Sequence, residues 1–240
     1  DADSAPLRVG YPLADTVGGL TAAMAICAAL NAEERGAFID VSMLEAVLAT
    51  MGWVVSNHLI GGVAPQPQGN ENPTSAPSGA FQCSDGLINI AANKDEQWKA
   101  LSGHLGREDL LSAPDYATRE DRKRNRLPLK AELETVLTRR PAREWARELN
   151  AIGVPAGAVM TVPEILAHPQ ITERDFLARF DDAPGLDRPI DLMRIGAMID
   201  GTRPAVATPP PALGADTPAI LAGLGYSAEE IEKMRAEGVT

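Results

Sequence analysis

Apolar residues recur at helical spacing in the first part of the chain. Their steps of four and three are those of one face of an α-helix. The face consists of Leu13, Val17, Leu20, Met24 and Cys27. Alanines and Ile26 occupy the other faces, so the pattern predicts a helix over about residues 13–34 that is buried nearly all round. Gly36 supplies a natural end for this helix.

A strand and a second helix are predicted directly afterwards. The run from Phe38 to Met43 is rich in residues that favour strands. Ser42 followed by Glu45 forms a capping-box pattern, which predicts a helix start. The apolar stripe of that helix consists of Leu44, Val47, Leu48, Met51 and Val55. Helix, strand and helix in this order are typical of an α/β fold.

The middle of the chain predicts a small, mostly helical domain behind a long loop. Residues 60–79 are rich in Gly, Pro, Asn and Gln, which indicates a loop and a domain boundary. Two short apolar runs, 81–84 and 87–91, flank Asp85 and Gly86 and predict a β-hairpin. Three helical patterns follow, over about residues 94–105, 127–138 and 142–151.

The last part of the chain predicts one strand and three short helices. Residues 155–160 favour a strand, and Thr161 with Glu164 forms a second capping box. Three consecutive prolines at 209–211 indicate a stiff linker. A helix is predicted over about 217–224, and Ser227 with Glu230 caps the last one.

Composition and charge narrow the class of protein. With 45% hydrophobic and 23% charged residues, the chain of 240 residues is predicted to be globular. A net charge of -11 argues against a nucleic-acid partner, which requires a concentrated basic face. The basic residues of 119–126 alternate with acidic ones, so we interpret this run as a solvated surface. The apolar stretch 20–30 is shorter than the ~20 residues that cross a bilayer, so no membrane partner is predicted.

Cysteines and histidines indicate neither a disulfide framework nor a metal site. Cys27 and Cys83 lie far apart in the sequence, which favours a reducing, cytoplasmic setting. The histidines do not share the spacing of zinc ligands; they are His58, His104 and His168. The chain opens at Asp1 with a turn-like run to Pro6, from which we expect a piece of a longer chain.

Asp15 is the strongest candidate for chemistry, and it has two interpretations. An Asp just before an apolar periodic run is the expected N-cap of a helix. However, Gly18 and Gly19 follow in the first turns, where each costs about 1 kcal/mol relative to Ala. Such glycines suggest a close approach of another group to the backbone. A carboxylate stabilised by the helix dipole could then act as a nucleophile on an activated electrophile.

The sequence around Asp15 resembles the central signature of the class III CoA-transferases, the family that includes formyl-CoA:oxalate CoA-transferase. The matching segments keep the family's order from one end of the chain to the other. They are residues 8–19, 35–45, 77–81 with Asp85-Gly86, 95–98, 153–157, 213–214, 224–227 and 229–231.

The resemblance implies an α/β enzyme in which Asp15 attacks an acyl-CoA thioester. The resulting aspartyl acyl anhydride would be opened by CoA to an aspartyl-CoA thioester, and an acceptor carboxylate would reverse the steps. Coenzyme A is then a substrate, with no permanently bound cofactor and no metal. The family's loop over the active site would fall at Gly69, Asn70, Glu71 and Asn72, so the resemblance implies substrate binding by Gly69, Asn70 and Asn72.

The resemblance also implies a domain organisation. The chain would be the C-terminal part of the family fold: a partial Rossmann-like large domain with a smaller, mostly helical α+β domain. Residues 1–70 would hold the catalytic helix and a crossing helix of the large domain, 71–170 the small domain, and 171–240 the return to the large domain. The CoA-binding residues would precede this chain, and the enzyme would be an interlocked homodimer acting on acyl-CoA and a small carboxylic acid.

Two other functions remain open. α-Methylacyl-CoA racemase shares the family fold and uses an aspartate at the position of Asp15 as an acid/base group. Racemases tend to have a glutamate where this chain has Asp95, and the run 91–98 is more similar to transferases. The third hypothesis is a non-catalytic subunit or assembly domain, in which Asp15 is only a helix cap.

Overall fold

The structure, a computed structural model, describes residues 7–34 and 36–240. These residues form twelve α-helices, one 3-10 helix and five strands in two antiparallel sheets. The chain divides into two compact units, with the boundary between Val159 and Met160. The turn predicted at residues 1–6 lies outside the described residues. The division at 70 and 170 stays a prediction.

Helix α1, Leu13–Asn31, confirms the first predicted helix but not its burial. Gly18 is the one buried residue among those of α1. Its large apolar side chains are mostly exposed, and they include Leu20, Met24, Ile26 and Leu30. The prediction of all-round burial is therefore wrong for the chain as described, because within it α1 packs mainly against α2. The periodicity correctly predicted the helix but not which surfaces pack against its apolar side chains.

The length of α1 also differs from the expectation. The helix has 19 residues and is apolar enough, by length and composition alone, to cross a membrane. The sequence interpretation counted only the shorter stretch 20–30. Core helices of soluble proteins pass the same test, so this finding by itself decides nothing about a membrane.

The segment between α1 and α2 has no regular secondary structure in its described residues. Residues 38–42 pair with no other strand in the described part of the chain, and Phe38 is fully exposed. The predicted strand is wrong here because strand-forming composition does not supply a hydrogen-bonding neighbour. The capping box is confirmed in part: the Ser42 side chain accepts from the Glu45 backbone N–H at 3.3 Å, starting α2, Met43–Thr50.

The second predicted helix is broken into two. Gly52, with φ of +48°, interrupts the helical backbone, and α3, Trp53–Gly61, continues after it. The predicted stripe is largely exposed: Leu44 is 71% and Leu48 44% exposed. These apolar surfaces resemble that of α1, since the described residues cover them only in part.

A three-stranded antiparallel sheet organises the rest of the first unit. Its strands are β1, Ser78–Gln82, β2, Leu87–Ala91, and β3, Ala156–Ala158, in the order β1-β2-β3. The predicted hairpin is confirmed, and its turn is closed by the Cys83 backbone N–H donating to the Gly86 carbonyl at 2.7 Å. The strand predicted at 155–160 is β3, shortened at both ends.

Helices on one side of this sheet complete a hydrophobic core. The three predicted helices are confirmed as α4, Asp95–His104, α7, Arg126–Leu137, and α8, Ala142–Ala151. Short elements link them: α5, Asp109–Ser112, a 3-10 helix, Pro114–Tyr116, and α6, Arg119–Arg124. The fully buried core side chains include Ile88, Leu101, Leu129, Leu133, Leu137, Leu149 and Val154.

The basic run at 119–126 is not simply a solvated surface. Arg122 is only 2% exposed, donates to the carbonyls of Ala76 and Tyr116 at 3.2 Å, and pairs with Asp95 at 2.6 Å. Its guanidinium also lies 5.5 Å from the centre of the Trp98 ring. The surface interpretation is wrong for Arg122, because three backbone and side-chain acceptors replace the water that a buried cation loses.

The second unit is built from short elements. Helices α9, Val162–Leu166, and α10, Pro169–Thr172, precede a two-stranded antiparallel sheet. Its strands are β4, Leu177–Phe180, and β5, Ile190–Met193. The chain ends with α11, Thr217–Gly223, and α12, Ala228–Ala236. The capping boxes predicted at Thr161 and Ser227 are both confirmed.

Candidate functional site

Asp15 lies in the first turn of α1 and does not cap it. The helix begins at Leu13 with Pro12 in the N-cap position, so Asp15 is the third helical residue. Its side chain is exposed and makes no capping hydrogen bond. The interpretation of Asp15 as an N-cap is therefore wrong, because the helix starts two residues before it. The carboxylate is free to meet a ligand from solvent.

The two glycines behind Asp15 have different surroundings. A Cβ on Gly18 would lie 3.1 Å from Cγ of Met43, so Gly18 lets α2 approach α1 closely. A Cβ on Gly19 would meet no atom within 4 Å. Gly19 follows Asp15 by four residues and so lies on the same helix face, one turn later. The face that carries the Asp15 carboxylate is thus open next to it.

The loop residues predicted to bind substrate lie together in one cavity. Gly69, Asn70 and Asn72 line a space of about 600 Å³ against the exposed side of the three-stranded sheet. Other walls are formed by β2 and by the start of β3. Asp15 is not among the lining residues, so the structure groups three of the four predicted site residues and leaves Asp15 apart.

The loop is held at the sheet edge by backbone pairing. Asn70 and Asn72 exchange hydrogen bonds with the β1 backbone, from Ala80 N–H to Asn70 O at 3.1 Å and from Asn72 N–H to Ser78 O at 3.0 Å. Between them, a Cβ on Gly79 would lie 2.8 Å from the Asn70 carbonyl oxygen. Gly79 also has φ of +154°, so both space and backbone conformation require glycine here.

Two cations of α7 fix the same loop from behind. Arg126 donates to the backbone oxygens of Asn72 at 2.6 Å and of Pro73 at 3.2 Å. Lys130 pairs with the Glu71 carboxylate at 2.8 Å, and both side chains are largely shielded from solvent. The loop is therefore a preorganised wall of the cavity rather than a freely moving segment.

Cys83 is a poor nucleophile, and His104 is held by neighbouring side chains. Burial, with the nearby Asp85 and Glu134, raises the pKa of the Cys83 thiol to about 11, so the reactive thiolate is scarce at neutral pH. His104 contacts the Glu148 carboxylate at 3.0 Å and lies edge-on to Trp145. No group of three or more His, Cys, Asp or Glu side chains in the described chain could hold a metal ion.

Sequence reasoning missed Asn89, Asn150 and Gly157, which also line the cavity. The alternation along β2 marks position 89 as an outward-facing residue between buried Ile88 and Ile90. That signal is local, and it gives no hint that Gly157 pairs beside Asn89 in the sheet. The hairpin prediction alone could have identified the outward face but not its neighbours.

Comparisons with known proteins agree with the sequence resemblance. The family profile of CoA-transferase family III matches residues 1–217. The acetyl-CoA:oxalate CoA-transferase of Acetobacter aceti is 36% identical over 181 residues, which cover 74% of this chain and 46% of that protein. The succinyl-CoA:mesaconate CoA-transferase of Haloarcula marismortui is 32% identical over 189 residues, covering 78% of this chain and 47% of that protein.

A solved structure agrees as well, and the match extends over most of this chain. The CAIB/BAIF family protein from Brucella suis superposes with a TM-score of 0.77 at 30% identity, covering 93% of this chain and 58% of that one. The chain spans about half the length of the curated relatives it matches. Its α/β fold, with mixed helices and sheets, is that of these proteins. The chain belongs to CoA-transferase family III.

Proposed function

We propose that this chain carries the nucleophile of an acyl-CoA:carboxylate CoA-transferase, and that the nucleophile is Asp15. The observation that carries the proposal is the placement of Asp15: an exposed carboxylate in the first turn of a 19-residue helix, with open space at Gly19 one turn later. A carboxylate that caps the helix would be occupied by backbone N–H groups, whereas this one is available to an electrophile.

The reaction proceeds through three covalent intermediates, an anhydride with the donor acid, a thioester with CoA and an anhydride with the acceptor acid. An Asp15 carboxylate oxygen attacks the thioester carbonyl, and the C–S bond breaks. CoA departs as the thiolate, and a mixed anhydride between Asp15 and the donor acid is formed. The thiolate then attacks the aspartyl carbonyl, which releases the donor carboxylate and forms an aspartyl-CoA thioester. The acceptor carboxylate attacks this thioester, which expels CoA thiolate and forms a second mixed anhydride. The thiolate then attacks the acceptor acyl carbonyl, which forms the new acyl-CoA and releases the Asp15 carboxylate. No net proton or redox change is required, and each step exchanges one activated acyl group for another.

The loop at Gly69, Asn70 and Asn72 binds the acyl or acid part of the substrate in this proposal. Its support is the cavity that these three residues share and the two cations that fix the loop. Coenzyme A enters and leaves as a substrate, and the residues that bind most of it belong to the half of the family fold that this chain does not span. The matched relatives transfer CoA between acyl-CoA and carboxylic acids by name, which supports a short carboxylic acid as acceptor.

Hydroxylamine trapping tests the proposal. Full-length protein is incubated with acyl-CoA and hydroxylamine, and the peptide containing Asp15 is analysed by mass spectrometry. An aspartyl hydroxamate is expected in the wild type and not in Asp15→Asn. The matched control is Asp182→Asn, which changes another exposed aspartate in the second unit and should leave trapping unchanged.

Three outcomes would reject the transferase mechanism. Solvent deuterium entering the α-carbon of the acyl group without acyl exchange would indicate racemase-like acid/base chemistry at Asp15. Trapping on a residue other than Asp15 would remove the nucleophile assignment. Absence of both reactions, together with absence of CoA binding in the full-length protein, would favour a non-catalytic subunit.

We further propose a homodimer in a reducing, cytoplasmic setting. The exposed apolar side chains of α1 and α3, such as Met24 at 69% and Ile60 at 88%, support burial against other protein surfaces. Cys27 and Cys83 are both free thiols, which agrees with a reducing compartment. Sedimentation equilibrium of the full-length protein tests the dimer, and a monomer at micromolar concentration would reject it.

A further inference from the structure

Asn89 occupies the centre of the outward sheet face that forms the cavity floor. Along β2, buried Ile88 and Ile90 flank the exposed Asn89. In the sheet register Asn89 pairs with Ala80 on β1 and with Gly157 on β3. Residues in register lie on the same face with Cβ atoms about 5 Å apart, so the small neighbours leave the Asn89 amide uncovered.

The amide of Asn89 differs from two other asparagines of the cavity. Asn150 donates to the carbonyls of Ala146 and Ala156 at 2.7 Å, so its amide fixes β3 against α8. The Asn72 side chain bonds Ser78 and Thr74 and shapes the loop. The Asn89 side chain has no hydrogen-bond partner among the described residues. Asparagine is disfavoured in strands, and no contact in the described chain explains it at this position.

The charges around the cavity restrict what it can bind. Glu71 is the one charged residue among the described residues that line it, and Lys130 already neutralises that carboxylate from behind. No lysine or arginine is found among the described residues that line the cavity. A second carboxylate on the substrate would approach Glu71 without a free cation to receive it. A hydroxyl, carbonyl or amide group would instead find neutral amide donors and acceptors.

We infer that Asn89 is a specificity-determining residue that hydrogen-bonds an uncharged polar substituent of the transferred acid. The substrate class is a short carboxylic acid with a hydroxyl, keto or amide group in place of a second carboxylate. This inference rests on the proposed transferase function and deepens it. Gly157 contributes by leaving the space in which that substituent lies beside the amide.

Acceptor competition in the full-length protein tests the inference. The probes are butyrate, 3-hydroxybutyrate and succinate, which share a four-carbon chain; relative to butyrate, the second carries a hydroxyl on carbon 3 and the third a carboxylate at carbon 4. The wild type is expected to use 3-hydroxybutyrate with the highest kcat/KM. Asn89→Leu should lower that kcat/KM about 10-fold, because one hydrogen bond to the substrate is lost. The same variant should change the value for butyrate less than about 3-fold, since butyrate makes no such bond.

The matched control is Asn93→Leu, which alters an exposed asparagine just beyond β2 that does not line the cavity. Equal losses on all three acids in Asn89→Leu, or a wild-type preference for succinate, would overturn the inference. Failure to use any of the three acids by a protein that still yields the Asp15 hydroxamate would also overturn it. Loss of the hydroxamate in the wild type would instead reject the proposed function itself, so the two failures are distinguishable.

Discussion

Two adjacent glycines in α1 differ in their surroundings. Gly18 is buried against Met43 of α2, whereas Gly19 faces open space on the Asp15 side of the helix. From the sequence alone, both glycines are expected to lower the stability of the helix by the same amount. The structure shows that Gly18 is required for packing, whereas nothing in the described chain explains the glycine at position 19.

This difference predicts opposite effects of alanine substitution. Gly19→Ala should raise the stability of the 240-residue chain by about 1 kcal/mol, because it adds no contact and removes the helix penalty of glycine. Gly18→Ala should gain less or lose stability, since its Cβ would lie 3.1 Å from the Met43 side chain. Urea unfolding followed by far-UV circular dichroism measures both. An equal gain for the two variants would contradict the packing role of Gly18.

At the scale of elements, helix α8 carries an ion-pair network on its exposed side. Arg140 contacts Glu144 at 3.0 Å and Glu148 at 2.6 Å, and its guanidinium stacks 4.5 Å from the centre of the Trp145 ring. Hydrogen bonds from Arg140 and then from His104 lower the pKa of Glu148 from 4.5 to about 2. The network therefore connects the start of α8 to α4.

The lowered pKa predicts a pH dependence of stability. A carboxylate whose folded pKa lies below its unfolded value stabilises the fold above the unfolded pKa, here 4.5. That contribution should be lost as the pH falls from about 4.5 towards about 2. Urea midpoints of the wild type and Glu148→Gln should differ near neutral pH and converge near the lower limit.

The control for this experiment is Glu96→Gln, which changes an exposed carboxylate on α4 that forms no ion pair with the described residues. Its midpoint should follow that of the wild type over the whole range. A difference between wild type and Glu148→Gln that stays constant with pH would show that packing, and not charge, is responsible.

Secondary-structure elements were predicted correctly where the apolar pattern repeats over many residues. Helices of ten residues or more, such as α4 and α7, carry enough turns for an apolar stripe to be recognised. The four-residue α5 and the strands β4 and β5 were missed, because such short elements depend on tertiary contacts. The strand predicted at 38–43 was wrong for a related reason, because its residues favour a strand but have no neighbouring strand with which to pair.

The candidate site was predictable only in part. The family resemblance pointed to Asp15 and to the loop at Gly69, Asn70 and Asn72, and the structure places the three loop residues in one cavity. Asn89 was not predicted, because its importance depends on Gly157, which only the sheet register brings beside it. Local patterns report which face a residue occupies and not which distant residue shares it.

At the scale of the whole molecule, the hydrophobic core belongs to one continuous part of the chain. Its buried cluster begins at Phe81 and ends at Val154, and it includes contributions from the sheet, α4, α7 and α8. By contrast, α1, α2 and α3 bury little of their apolar surface in this chain. The first unit therefore combines a complete core with helices that need further cover.

A fragment of residues 68–159 is predicted to fold on its own. It contains the whole core, the anchored loop and all three strands of the sheet, so it should unfold in one cooperative transition. A matched fragment of residues 68–141 loses α8 and β3, including buried Trp145 and Leu149, and should not fold. Urea titrations with circular dichroism and amide exchange measure both. A non-cooperative transition in the longer fragment would contradict the prediction.

The attachment of the cavity loop to α7 affects which of its side chains can be exchanged. Arg126 binds main-chain oxygens of Asn72 and Pro73, which every amino acid possesses. The position of the loop is therefore largely uncoupled from the side chains that it presents. Residue 70, whose own side chain bonds no other described residue, is a site at which evolution or a directed library can exchange the chemical character of the wall while the backbone keeps its course.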